Sequence, residues 1–276
     1  MNNNATTIIF IKAIEMCFTF LKFVMQNKLQ ILGRFIIIVI FISSLGLQHC
    51  QKGPDFLKSY GKETSKNIVL DRPCLKLRVG QKFKLYITSD ISKPEQINIQ
   101  YGSNVIDKIK LEWQNDMYLL EDKNTFNWVR RFKVQPVCTM NIHKLNVLDI
   151  QGAASIRFLD TLQTDQIDIT MKSVENQKLL LNCGNLYGRG ANTGHVDLAG
   201  RGTIFSWSCE NGSSADAGNL RTDDAYVNHY TAREIRVNPK NILVAAVFGT
   251  GNIVYLRDPQ VKLQVKESGT GRVIKR

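Results

Sequence analysis

Ile242-Leu-Val-Ala-Ala-Val-Phe-Gly-Thr-Gly-Asn-Ile-Val-Tyr255 and Val261-Lys-Leu-Gln-Val-Lys-Glu-Ser-Gly-Thr-Gly-Arg-Val-Ile274 are two copies of one unit: a β-rich run, Gly-Thr-Gly, and a second short β run. The step from Gly249 to Gly269 is that of a stacking repeat. Gly249, Gly251, Gly269 and Gly271 are read as rung turns, where a reversal with φ > 0 excludes a Cβ. β-branched and aromatic neighbours favour extended backbone. A unit this short cannot bury an apolar face alone and must lie on a copy of itself. The expected fold class is all-β: a β-helix, or β-solenoid, of short rungs.

Upstream of this pair the same grammar recurs. Leu145–Ile150, Ser155–Phe158, Asp165–Met171, Lys178–Asn182, His195–Leu198, Thr203–Ser208, Ala225–Val227 and Arg233–Val237 are short β runs. Gly200 and Gly202 serve as further turns between them. Residues 141–276 therefore form the C-terminal solenoid, and residues 74–140 a β-rich N-terminal part stacked on it. In that part Leu111–Leu120 reads as a hairpin turning at Asn115-Asp116, and Asn104–Lys110 as a short helix or turn. Residues 51–73 are polar and are read as a tether.

Residues 1–50 carry the export signal. Lys28 and Arg34 flank the apolar core Phe35–Ile42, too short for a comfortable membrane span, and the segment ends at Cys50. This ending resembles the lipobox of bacterial lipoproteins, which implies lipidation at Cys50, a membrane partner through that anchor, and a cell-envelope, outer-membrane location. Met25 is a second candidate start, giving Met-Gln-Asn-Lys before the core. Net charge is +12, and about +9 remains beyond residues 1–50, so the exported part attracts acidic polymers or anionic headgroups. No nucleic-acid module is present. Cys74, Cys138, Cys183 and Cys209 remain, either as disulfides (Cys183–Cys209 with Cys74–Cys138 is one pairing) or as buried thiols.

Val196-Asp-Leu-Ala-Gly-Arg-Gly202, Gly218-Asn-Leu220 and Gly249-Thr-Gly-Asn-Ile-Val-Tyr-Leu-Arg-Asp-Pro259 resemble the putative auto-transporter adhesin, head GIN domain family, common among Bacteroidota lipoproteins. The resemblance covers about Val69 to Ile274. It implies a β-helical fold on the envelope and an adhesive role, with no catalytic residue to carry over and no cofactor. Relatives with cysteines in place of Phe56 and Phe126 imply a disulfide that this chain lacks.

The Gly-x-Gly elements lead into strands rather than a helix N-terminus, which argues for turns and against a phosphate site. His143, His195 and His229 sit in no metal or catalytic motif. Asp165 and Asp168 are the one pair of acids that evokes glycan cleavage. Trp113, Tyr118, Trp128, Tyr187, Trp207, Tyr226 and Tyr230 are numerous for strand faces, and aromatics beside Arg, Asn and Asp suit sugar or protein contact. Each also has a packing reading; Trp113, Trp128, Tyr187, Tyr226 and Tyr230 are the candidate ligand surface. Asp160-Thr-Leu162 matches a loose O-glycosylation pattern. The function expected is that of a non-enzymatic, lipid-anchored binding module for a glycan or protein, without metal. A carbohydrate-active enzyme and a structural protein with no ligand of its own are the alternatives.

Overall fold

The computed structural model describes residues 60–124 and 134–276, all within the unit Lys58–Arg276. The export segment, Cys50 and Trp128 lie outside the described residues. Among the described residues there are strands and one 3-10 turn at Ile106–Lys108, with no α-helix. The strands are β1 (Glu63–Val69), β2 (Lys76–Val79), β3 (Lys84–Thr88), β4 (Gln96–Gly102), β5 (Ile109–Gln114), β6 (Met117–Asp122), β7 (Val137–Asn141), β8 (Val147–Gly152) and β9 (Ser155–Phe158). They continue as β10 (Leu162–Ser173), β11 (Gln177–Gly190), β12 (His195–Cys209), β13 (Ser214–His229), β14 (Ile235–Val247), β15 (Ile253–Tyr255), β16 (Lys262–Glu267) and β17 (Val273–Lys275).

The chain is a β-solenoid. Leu162 lies beside Leu181, Gln177 beside Val196 and His195 beside Ser214, each partner one rung further on and all in parallel register. The opening repeat stacks as its sequence predicts: Ile242 pairs with Lys262 and Ile253 with Val273, the same step that separates Gly249 from Gly269. Strands β10 to β13 each turn a corner at one residue left out of the ladder (Asp165, Gly184, Thr203 and Asp223). Before the corner a strand lies in one wall of the solenoid, and after it in the other.

Alternation along the second wall explains why the rungs adhere. Ile167, Leu186, Phe205, Ala225, Leu243 and Leu263 form one inward column. Ile169, Gly188, Trp207, Val227, Ala245 and Val265 form the next. Most of these residues are buried, and each full burial of a large aliphatic side chain is worth roughly 1.5–3 kcal/mol. Gaps in the first wall are mended by polar side chains. Buried Gln177 accepts from Ile156 N at 2.6 Å and donates to Ala154 O at 3.0 Å, replacing a missing ladder bond.

Rung order departs from chain order at the N-terminal end. β2 lies between β6 and β8, and β3 between β7 and β9, so the first rung made by the chain becomes an inner one. The intervening residues close the end with antiparallel pairs β4–β7, β1–β4 and β5–β6. The hairpin turns at Asn115 (φ 49°) and Asp116 (φ 61°), the paired left-handed geometry of a two-residue type I′ turn. β1 falls inside the stretch expected to be tether: Glu63–Val69 shows no apolar alternation and forms a strand by backbone pairing with β4. At the other end β16 pairs with β14, and all six of its residues are exposed.

The turn glycines need a different argument from the one their sequence invites. Gly249, Gly251, Gly269 and Gly271 do not have left-handed φ. They are small because rungs pass very close there: a Cβ on Gly271 would stand 2.1 Å from Gly251 O. Gly200 combines φ +122° with a Cβ position 2.0 Å from Leu181 O, whereas Gly202 has ordinary space around it. The four described cysteines are free thiols. Cys183 pairs with Gly202 at the corner, and Cys209 lies at the far end of β12. The extended backbone from Gly202 to Cys209 separates the two thiols' levels by roughly 20 Å, far beyond disulfide reach.

Candidate functional site

Because inward residues alternate with outward ones, the outer surface of the second wall is set by the same register as the core. Asp168, Tyr187, Ser206, Tyr226 and Val244 form one outward column. Two exposed tyrosines thus flank a serine, about 10 Å apart at two strand spacings. Tyr230, just beyond β13, stacks on Phe248 with ring centroids 4.6 Å apart and planes 7° apart. Lys266 lies over the Phe248 ring at 5.4 Å, within cation–π range. Tyr187, Tyr226 and Tyr230 are therefore brought to one wall, joined by Phe248, which the sequence reading did not single out.

Trp113 does not join them. It sits on the terminal hairpin, edge-on to Tyr118 at 4.9 Å and covered by the Arg72 guanidinium at 4.9 Å. Tyr118 is buried, and its hydroxyl donates to Asp71 at 2.6 Å. Burial and the Asp71 carboxylate push its pKa up to about 12. Trp207 is a core residue, stacked near Phe205. These three are packing residues.

Asp165 is not poised as a general acid. Asp165 accepts from Lys144 Nζ at 2.6 Å, and this hydrogen bond holds its carboxyl below the usual range, the opposite of what a general acid needs. Asp168 accepts from Gln166 Nε2 at 3.2 Å. His143 Nε2 meets Lys93 O at 2.8 Å. His195 bridges Ser214 Oγ (2.7 Å) and Asp197 Oδ1 (3.0 Å), an order that resembles a hydrolytic triad. Ser214 is 2% exposed, so no carbonyl can reach its hydroxyl, and the trio clamps two rungs. Its signal in the sequence is the single rung step from His195 to Ser214. Burial lowers the pKa of His229, whose two ring nitrogens have no hydrogen-bond partner. Among the described residues no group of His, Cys, Asp and Glu is placed to hold a metal ion.

The stacked corners produce a feature that the sequence reading missed. They line an open groove of about 970 Å³ along the solenoid. Gln163, Asn182, Arg201 and Arg221 are successive register partners there. Lys240 and Arg257 lie further along it, while Lys144 and Asp165 close the other end as an ion pair at 2.6 Å. Among the described residues the side chains of Arg201, Arg221, Lys240 and Arg257 have no ion-pair or hydrogen-bond partner; Asp223 is the one other acid in the lining. The rung period was the available signal, since Arg201 and Arg221 stand one rung apart.

Comparison with solved structures places this architecture. A structure described as a putative adhesin from Bacteroides fragilis superposes with a TM-score of 0.72 at 24% identity, covering 78% of this chain and 97% of that one. A putative adhesin from Parabacteroides merdae gives 0.59 at 16% identity, covering 80% and 98%. A structure described as a putative lipid binding protein from Parabacteroides distasonis gives 0.56 at 16% identity, covering 78% and 97%. At these identities the likeness is one of fold. No curated protein matches the chain. The family described as "Putative auto-transporter adhesin, head GIN domain" matches residues 75–259, the stretch from β2 through β15, and the chain belongs to that family.

Proposed function

We infer that the chain is a non-enzymatic binding module of the cell envelope, anchored as a lipoprotein through Cys50 and presenting its solenoid wall to a glycan or protein partner. The family is named for adhesins. The observation that carries the reading is the Tyr187–Ser206–Tyr226 column: flat aromatic faces at fixed spacing on a wall held rigid by parallel ladders. Such a surface has no deep enclosure for a small substrate but offers continuous contact to an extended one. Ordered rungs have already lost their conformational freedom, so little further ordering opposes binding.

The test has two arms. Protease shaving of intact cells should degrade the full-length chain, and Cys50→Ser should release it from the membrane fraction. The full-length chain should bind envelope glycans or host matrix preparations, with Tyr187→Ala/Tyr226→Ala reducing capture while leaving the thermal midpoint unchanged. A chain protected from protease on intact cells is not an adhesin, and unchanged capture by the tyrosine variant removes this wall as the contact.

A further inference from the structure

We propose that the corner groove is a binding site for a linear acidic polysaccharide, one bearing carboxylate or sulfate groups, lying parallel to the solenoid axis. The inference deepens the envelope-binding reading and rests on it, but it concerns a different surface from the tyrosine wall.

Arg201 and Arg221 are direct register partners on adjacent parallel strands, about 4.8 Å apart at the backbone. Like charges placed opposite one another on a sheet are destabilising, so this placement carries a cost. A surface normally relieves it with acids on the same face, as Arg189 does with Glu210 at 2.5 Å and Arg236 with Asp216 at 3.3 Å on neighbouring rungs. In the groove, Lys144 is neutralised by Asp165, whereas Arg201, Arg221, Lys240 and Arg257 have no such partner among the described residues. The unpaired cations lie along one concave line, so their fields add where an anion would sit.

The shape and lining choose the anion. The groove is long and open, suited to a chain rather than an enclosed molecule. A guanidinium meets carboxylate or sulfate oxygens with two parallel hydrogen bonds, stronger than neutral ones. Gln163, Thr164, Asn182 and Thr203 supply amides and hydroxyls beside the cations, the groups that sugar hydroxyls pair with. The rung spacing of about 4.8 Å is close to the length of one pyranose along an extended chain, so charges on successive sugars meet successive rungs and charges on alternate sugars meet every second rung. Among the described residues no Phe, Tyr or Trp lines the groove, which removes the stacking platform that single-stranded nucleic acids use. Nor does any large apolar side chain among them rim it, as lodging in a membrane interface would require.

The experiment measures binding of the full-length chain, in detergent micelles, to immobilised polygalacturonate. Dextran, single-stranded DNA and phosphatidylglycerol vesicles serve as competitors. Arg201→Gln/Arg221→Gln is compared with Lys110→Gln/Lys178→Gln, which removes the same charge outside the groove. The expected result is saturable binding that weakens with salt, is not competed by dextran, nor by DNA or vesicles at equal charge, and falls about tenfold or more in the arginine variant alone. Equal losses in both variants, equal competition by DNA or vesicles, or no binding to the acidic glycan overturns the proposal. If the unsubstituted chain binds cells or matrix through Tyr187 and Tyr226 but does not bind polygalacturonate, the envelope-binding reading stands and this one falls.

Discussion

Gly188 lies directly against the indole of Trp207, its register partner on the next rung: a Cβ at position 188 would stand 2.0 Å from Trp207 Cζ3. The largest side chain of the column is admitted by the smallest residue beside it. Gly188→Ala is therefore expected to destabilise the fold by about 1–3 kcal/mol through overpacking. In a Trp207→Leu background the same change should cost far less, because the ring it collides with is gone. The double-mutant cycle, read from urea midpoints, should give a coupling of about 1–3 kcal/mol. Additive effects would show that the two residues do not share one space.

The same column logic grades the ends of the solenoid against its middle. Leu243 is 0% exposed and Leu263, its partner one rung later, is 47% exposed. Leu243→Ala should cost about 2–5 kcal/mol, since it loses transfer energy and leaves a cavity. Leu263→Ala should cost under about 1 kcal/mol, because much of its surface is already wet. Chemical denaturation of the two variants checks the ratio. Equal losses would mean that the last rung is covered in solution.

What the sequence made legible follows from which physical signals are local. The period-2 alternation in Leu243-Val-Ala-Ala-Val247 and the step from Gly249 to Gly269 are visible within one or two rungs, so solenoid and repeat could both be read. The turn at Asn115-Asp116 was equally local. The insertion of β2 between β6 and β8 was not, because Leu77 meets Tyr118 and Leu148 from far along the chain with no repeat to announce it. Trp113 and Tyr187 look alike as exposed aromatics in the sequence, and only packing against Arg72 and Tyr118 separates them. The Arg201–Arg221 column was written at the rung period. It stayed hidden because the corner residue omitted from the ladder decides which side chains share a face.

His229 ties stability to pH. It is fully buried, and burial lowers its pKa from 6.5 more than the Arg233 backbone raises it. The unfolded chain therefore takes up a proton at a pH where the folded chain does not. Stability is complete above about pH 6.5 and falls as pH drops toward the folded value, by up to about 1.4 kcal/mol per pH unit. His229→Leu should flatten this part of the pH–stability curve. Thermal midpoints at pH 7.5 and 5.5 measure it, and an unchanged difference between them would assign the acid loss to other groups.

The thiols offer a reading of local opening. Cys74, Cys138 and Cys209 are buried and Cys183 is half-buried; burial raises all four pKa values, that of Cys183 to about 11. Thiolate is the reactive form, so alkylation of Cys183 should be slow at pH 8 and rise about tenfold per pH unit toward 10. The other three should react only on unfolding. Mass mapping after iodoacetamide treatment of the native chain distinguishes them. Early labelling of Cys209 would indicate that the rung end opens before the corner.

Gly200 and Gly202 flank Arg201 in β12, and their substitution should separate conformational need from mere presence at a corner. Gly200 has φ +122°, a region that L side chains avoid, and its Cβ would stand 2.0 Å from Leu181 O on the adjacent rung. Neither problem has a local remedy, since moving the strand breaks the register on both sides. Gly200→Ala should therefore cost several times as much as an ordinary surface change, about 3 kcal/mol or more. Gly202 has no left-handed φ, and its nearest neighbour would be Thr222 Cγ2 at 3.5 Å, an ordinary contact. Gly202→Ala should be neutral or stabilising by about 0.4–1 kcal/mol, because alanine restricts the unfolded chain without straining the folded one. The pair is measured by equilibrium denaturation in one buffer. A large loss at Gly202 would mean that the corner needs backbone freedom which its φ does not reveal, and a small loss at Gly200 would mean that the rungs can slide apart there.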